Sequence, residues 1–298
     1  MKKSVIDLLS MKEQNKPITW LTCYDYSFAR VMSETDLDMI LVGDSGGMVL
    51  LGFEDTVPVT MEHMLFMCSA VRRGARNKFI LGDMPQGSYE VSNEIAVENA
   101  MRFVKESGVD AVKLEGGVKM SERVKAIVDS GISVVGHIGL TPQSSSIFGG
   151  YRVTGRSESE LDSLVADAKS LESSGAFAIL VEAMPSNSAK KIVDNVQVPI
   201  FGIGAGVDVD GQLLILHDML GLYPNFRPKF AKNFIPNVFD KMNQSLMSQK
   251  DVVEFGRLTR QDGIYELSKL AINQYILEVQ NRDFPNEDYT YSSVKNKK

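Results

Sequence analysis

The segment VPIFGIGAGVDVDGQLLILHDML, residues 198–220, settles the fold class, because it carries the last two of a series of apolar runs. VPIFGIGAG (198–206) is the seventh run and LLILHDML (213–220) the eighth. Working back toward the N-terminus, the others are FAILVEAMP (177–185), SVVGHIG (133–139), AVKLEGG (111–117), KFILGDMP (78–85), MILVGDS (39–45) and ITWLTCYD (18–25). Most are unbroken in Val, Ile, Leu and Phe, the pattern of parallel strands covered on both faces. Helical patterns lie between them. Thr60, Ser92 and Ser157 read as N-caps, and Gly108, Gly131 and Gly175 as the glycines that end helices. Eight strands alternating with helices favour a closed (β/α)8 TIM barrel over an open sheet. One spacing strains this count. Only Val207–Gln212 separates the seventh run from the eighth, whereas a parallel crossover takes about a dozen residues. Either the last run is partly helical or the seventh helix is missing.

The barrel spans about residues 18–222, preceded by a short amphipathic N-terminal helix within MKKSVIDLLSMKEQNK. A C-terminal helical extension follows at about 228–282, with KFAKNFIPNVFDKMNQSL and GIYELSKLAINQYILEVQ as its two helices. The polar end, 290–298, is expected to fray. With no repeat and no linker, residues 1–298 form a single domain. A net charge of −6 gives no basic footprint for nucleic acid. The apolar runs fall far short of the roughly 20 residues a membrane span needs, and the N-terminus makes a poor signal peptide. Two cysteines, Cys23 and Cys68, build no disulfide framework and suit a reducing cytoplasm as buried packing thiols.

In a barrel of this kind, chemistry sits at the C-terminal ends of the strands. Here those ends carry Asp44 and Ser45, Asp83, Lys113 and Glu115, His137, and Glu182. Burying a charge is costly unless it is paired or bound to a metal, so packing alone does not explain such a series. Neighbouring strands lie about 4.8 Å apart, which lets Asp44, Asp83 and Glu115 converge at the barrel mouth. Oxygen ligands of this type suit Mg2+, and no spacing for zinc is present. The competing account is that each acid caps a helix or pairs with a lysine. Lys113 and Glu115 share one face of a strand, as a substrate-binding lysine beside a metal ligand or as a structural pair. Apolar neighbours around Glu182 raise its carboxyl toward the range of a general base, against the plainer reading of a loop glutamate bound to backbone.

Of the three histidines, His137 is the best site candidate; His63 falls on a helix, and His217 is ambiguous. Gly43-Asp44-Ser45-Gly46-Gly47 looks like the nucleophile signature of trypsin-like proteases. Those enzymes order their triad His, Asp, Ser, whereas the first histidine here follows Ser45. The match is coincidental. Neither this stretch nor Phe201–Gly206 carries the Lys-Ser/Thr of a P-loop, so both read as tight turns at the barrel rim.

LTCYDYSFAR, ILVGDSGGMVLLGFEDTVPVTMEHM, VKLEGG, VVGHIGLTPQS, FGGYRVTGR, LVEAMP and FGIGAGVDVDGQLLILHDMLGL, taken together and in this order, resemble the ketopantoate hydroxymethyltransferase family. The chain departs from the family pattern at Gly46, at Gln86-Gly87 and in FPNEDYTY. The resemblance implies a (β/α)8 barrel assembled as a homodecamer. It implies Mg2+ and 5,10-methylenetetrahydrofolate, the latter giving a hydroxymethyl group to the 2-oxo acid 3-methyl-2-oxobutanoate through an Mg-stabilised enolate. By the same resemblance Asp44 and Asp83 bind the metal, with Glu115 as a third acidic ligand through water. Ser45 and Lys113 hold the keto acid, and Glu182 is the proton acceptor; Asp44, Asp83 and, from its strand-end position, His137 are placed in the substrate-binding set. Phosphoenolpyruvate mutase-like barrels also chelate 2-oxo acids, but the KKCGH-type loop expected of them is absent. A catalytically silent barrel is the remaining alternative, and the intact acid set argues against it.

Overall fold

The computed structural model describes residues 2–144, 150–225, 227–238, 240 and 263–293. Eight parallel strands close into a barrel in chain order. They are β1 (Ile18–Thr22), β2 (Met39–Val42), β3 (Phe79–Asp83), β4 (Ala111–Glu115), β5 (Ser133–Gly139), β6 (Ala178–Glu182), β7 (Ile200–Ile203) and β8 (Gly211–Leu214). The ring closes where Ile18 pairs with Gly211 and Trp20 with Leu213. Strand residues are buried nearly throughout, as their unbroken apolar runs require: one face fills the barrel and the other meets the helices.

The short spacing before the eighth run resolves both ways at once. Residues 204–210 join β7 to β8 with no helix, and the run itself divides into β8 and a short helix, Leu216–Met219. Close approach makes the connection possible. A Cβ at Gly206 would lie 2.3 Å from Ser186 Cβ, and Gly206 adopts a φ of +86°, so the chain threads where no side chain fits. The Asp210 carboxylate pins the connection by accepting from Ile200 N–H and Lys12 Nζ, each at 2.8 Å.

Capping sets the helix ends. Thr60, Ser92 and Ser157 accept from backbone N–H groups of the helices Met61–Gly74, Asn93–Arg102 and Glu158–Ser173. His63 completes a reciprocal cap, its Nδ1 accepting from Thr60 N–H, so its role is structural. The N-terminal helix, Val5–Glu13, starts from a Ser4–Asp7 capping box and buries Leu8 and Met11.

The C-terminal helix Gly263–Gln280 packs on β1 and on the helix Tyr26–Ser33. Its Tyr275 hydroxyl lies 3.0 Å from Trp20 O and 2.5 Å from Gln212 O, and so ties β1 to β8 across the seam. Phe234, Tyr275 and Phe284 stack edge-on behind it, with ring centroids 5.7–6.0 Å apart. Of the helix expected over 229–246, residues 235–238 and 240 are helical, and 239 and 241–246 lie outside the described residues. In the tail, Tyr291 forms a parallel bridge with Pro185, so order extends past residue 290; residues 294–298 lie outside the described residues. Among the described residues no helix is long and apolar enough to cross a membrane.

Candidate active site

β2 ends at Val42, and Gly43, Asp44 and Ser45 lead into a four-residue helix, Gly46–Val49. The rim glycines therefore begin a helical turn rather than an open loop. A Cβ at Gly46 would sit 2.8 Å from both Met67 Sδ and Tyr24 Cδ1, so the departure from the family pattern at this position matches its packing. Ser45 does not cap the helix; its Oγ lies 2.9 Å from the Tyr24 hydroxyl. Asp83 closes β3, beside Lys113 in the register with β4. Period-two alternation sends Lys113 and Glu115 to the same face, and Glu115 stands opposite His137 on β5. β6 delivers Glu182, paired in register with Gly139.

These side chains meet at the C-terminal mouth. Asp83 accepts from Lys113 Nζ at 2.5 Å through Oδ1 and from Asp44 N–H at 3.2 Å through Oδ2. Lys113 Nζ is 3.9 Å from Glu115 Oε1. His137 stands between two acids, with Nδ1 3.4 Å from Glu115 Oε1 and Nε2 3.2 Å from Glu182 Oε2. Neither nitrogen has the alignment of a full hydrogen bond, so the ring is flanked by the carboxylates rather than locked to them. Asp44, Asp83, Lys113, Glu115 and His137 are all buried, and the Glu182 side chain keeps 14 % of its exposure.

The electrostatics follow from this crowding. Burial, and then the charge of Asp83, hold the Asp44 carboxyl well above the usual carboxylate range. Burial lifts Glu115 to about 8, with Lys113 pulling the other way. Burial opposes the charge on Lys113, but Asp83, Glu115 and Asp44 outweigh it and keep the ammonium protonated. Burial lowers His137, aided by Lys113, and raises Glu182 against the pull of His137. A neutral imidazole thus faces an acid displaced toward the range of a general base.

The site opens into a cavity of about 240 Å³ whose apolar walls include Leu41, Leu180, Ile203 and Leu213. Three further polar residues belong to the neighbourhood. Tyr24 holds Ser45, Gln143 donates to Asp44, and Asp218 lines the cavity with its carboxyl raised to about 6 by burial. None of the three is apparent from strand-end position alone.

The donor chemistry fits a hard divalent cation. Asp44, Asp83 and Glu115 crowd around the Lys113 ammonium, and burial is the chief reason that the Asp44 and Glu115 carboxyls are displaced upward. Among the described residues no three His, Cys, Asp or Glu side chains are gathered as a ready-made cage. Mg2+ does not demand one. It keeps several waters and takes one or two carboxylates directly, a demand that acids gathered as these are could meet.

Fold and site together define a class: a (β/α)8-barrel enzyme with a carboxylate-rich pocket at the C-terminal mouth. Solved structures agree on the fold. A phosphonopyruvate hydrolase crystallised with oxalate and Mg2+ superposes with a TM-score of 0.57 over 87% of this chain and 99% of its own, at 12% identity. A 2,3-dimethylmalate lyase gives 0.57 over 95% and 99%, at 15% identity. Sequence narrows the class. Residues 2–287 match the signature of the ketopantoate hydroxymethyltransferases. The 3-methyl-2-oxobutanoate hydroxymethyltransferase of Alkaliphilus metalliredigens (strain QYMF) is 43% identical over 97% of this chain and 93% of its own length. The enzyme of the same name from Clostridium kluyveri is 45% identical over 97% and 94%. The chain belongs to the ketopantoate hydroxymethyltransferase family.

Proposed function

We propose that this chain transfers a hydroxymethyl group from 5,10-methylenetetrahydrofolate to 3-methyl-2-oxobutanoate, giving 2-dehydropantoate for pantothenate and coenzyme A synthesis. The observation that carries the reading is the division of the buried acids. Asp44 and Asp83 adjoin one another through the Asp44 N–H, while Glu182 stands apart beyond His137. One group is arranged to hold a cation and a chelating substrate, the other to take a proton.

Asp44 and Asp83 would hold Mg2+ directly and Glu115 through water, and the ion would supply Lewis-acid polarisation of the keto and carboxylate oxygens of the substrate. Lys113 offers a point charge to the substrate carboxylate. The Ser45 hydroxyl, oriented by Tyr24, offers a hydrogen bond. The branched alkyl group of the 2-oxo acid seats against Leu41, Leu180 and Ile203, which exclude water from the reacting carbon. Glu182 removes the C3 proton, with the His137 imidazole, whose charged form burial disfavours, 3.2 Å from its Oε2. Water opens the methylene bridge of the folate, its two C–N bonds breaking and its nitrogens taking the water's protons to leave tetrahydrofolate. C3 forms its new bond to the formaldehyde-level carbon released, whose oxygen, protonated by the Glu182 acid, becomes the product hydroxyl. We also infer a cytoplasmic homo-oligomer, a decamer by family resemblance, with the 2-oxo acid and folate as its small-molecule partners and with neither nucleic acid nor membrane among them.

Exchange of the C3 proton of 3-methyl-2-oxobutanoate with deuterated water, followed by NMR in the presence of Mg2+, tests the proton step alone. Exchange should require Mg2+ and fall about 10³-fold in Glu182→Gln, the middle of the range for a lost general base. Unchanged exchange in the variant would refute the base assignment, and no exchange in the unsubstituted protein would refute the activity. Ketopantoate formation on adding methylenetetrahydrofolate tests the transfer separately.

A further inference from the structure

Gln143 lies on the short 3-10 turn Pro142–Ser144 after β5 and is 1% exposed. Its Nε2 donates to Asp44 Oδ2 at 2.9 Å and to Met84 O at 3.0 Å. Its Oε1 accepts from the Tyr89 hydroxyl at 2.6 Å, and its backbone N–H donates to Glu115 Oε2 at 3.1 Å. The amide can face only one way. A carboxylate and a carbonyl accept but do not donate, so the NH2 must point at Asp44 and Met84. The Tyr89 oxygen accepts from Glu115 N–H at 3.3 Å, which leaves its proton for Gln143. One residue thus grips acids delivered by β2 and β4, and a buried tyrosine fixes its orientation.

We propose that Gln143, locked by Tyr89, is a positioning residue for the divalent cation, pre-setting the carboxylates of Asp44 and Glu115 before the ion arrives; this rests on the reading of Asp44, Asp83 and Glu115 as its ligands. The choice of an amide matters. Asp44, Asp83 and Glu115 come from three separate strands, so their carboxyl groups need restraint to face one ion together. A lysine or arginine in this place would restrain them and also cancel the charge that attracts the cation. A neutral donor holds one oxygen of each acid and leaves the charge intact. From the turn after β5 this single residue reaches Asp44 by its side chain and Glu115 by its backbone.

Mn2+ titrated into the full chain without substrate, with free Mn2+ read by electron paramagnetic resonance, tests this apart from turnover. Gln143→Met keeps the length of the side chain and removes its donors and acceptor. It should bind Mn2+ about tenfold more weakly, the lower end of the effect of outer-shell partners. Tyr89→Phe should weaken binding in the unsubstituted background and add little to Gln143→Met, because both remove one unit. Mn2+ affinity within twofold of the unsubstituted protein in Gln143→Met would overturn the proposal, as would losses that simply add. Should Gln143→Met fail to fold, as judged by its melting curve, Tyr89→Phe decides by the same twofold criterion. Absence of Mn2+ binding by the unsubstituted protein would overturn the cation reading itself and this inference with it, and the first titration tells that failure from a failure of Gln143 alone.

Discussion

Titrating the cation-free protein while following its melting temperature puts the buried acids to a direct test. Glu115 ionises near 4.5 in an unfolded chain and is raised to about 8 in the folded one, chiefly by burial. Between these values the folded state keeps a proton that the unfolded state has lost, so stability falls as pH rises through this window. Below about 4.5 the group contributes no penalty, and above about 8 the penalty is complete and constant. At about 1.4 kcal/mol for each tenfold change in proton concentration, the ceiling is about 5 kcal/mol. For a domain of this size that amounts to a fall of about 10 °C in melting temperature between pH 5 and pH 8. Mg2+ competes with the same protons, so saturating Mg2+ should restore most of the loss at pH 8 and little at pH 5. Glu115→Gln removes the titrating group and should flatten the part of the curve that Mg2+ corrects. Differential scanning fluorimetry in matched buffers, with and without the ion, supplies all four curves. A stabilisation by Mg2+ that is equal at pH 5 and pH 8, or unaltered by Glu115→Gln, would refute the reasoning.

Two further expectations concern charge and closure. Lys113→Met leaves Asp83 buried without its ammonium, which should cost about 3–5 kcal/mol at neutral pH; thermal melts check it, and a loss under about 1 kcal/mol would count against the pairing. The same variant should raise the KM for the 2-oxo acid in steady-state assays. Tyr275→Phe removes the hydroxyl shared by β1 and β8 and should lower stability by about 1–2 kcal/mol in denaturant melts while leaving kcat unaltered, since the seam lies outside the reacting groups.

What the sequence discloses and what it hides divide along a physical line. Strands buried on both faces write themselves as unbroken apolar runs, so the barrel and the strand-end residues Asp44, Asp83, Lys113, Glu115, His137 and Glu182 are legible from one chain. Each is a charged or polar interruption where packing alone would call for an aliphatic residue. Gln143, Tyr89 and Tyr24 carry no such mark. A glutamine in a loop is ordinary, and a tyrosine next to an apolar run looks like core. Their roles come from long-range contacts, 99 residues apart for Gln143 and Asp44, which no local pattern encodes. The usable signal is indirect: Thr141-Pro142-Gln143, one residue beyond a strand that carries the site histidine near its end, puts a polar side chain on a turn at the barrel mouth, where an idle amide would have little reason to be buried. The β7–β8 connection is the opposite case. Its brevity is plain in the sequence, but its solution depends on Gly206 passing Ser186 at a distance only a packed structure defines, and on a helix some fifty residues later covering the seam. Closure of the ring is thus settled by tertiary contacts, whereas the polar lining of its mouth can be read from which strand ends refuse an apolar residue.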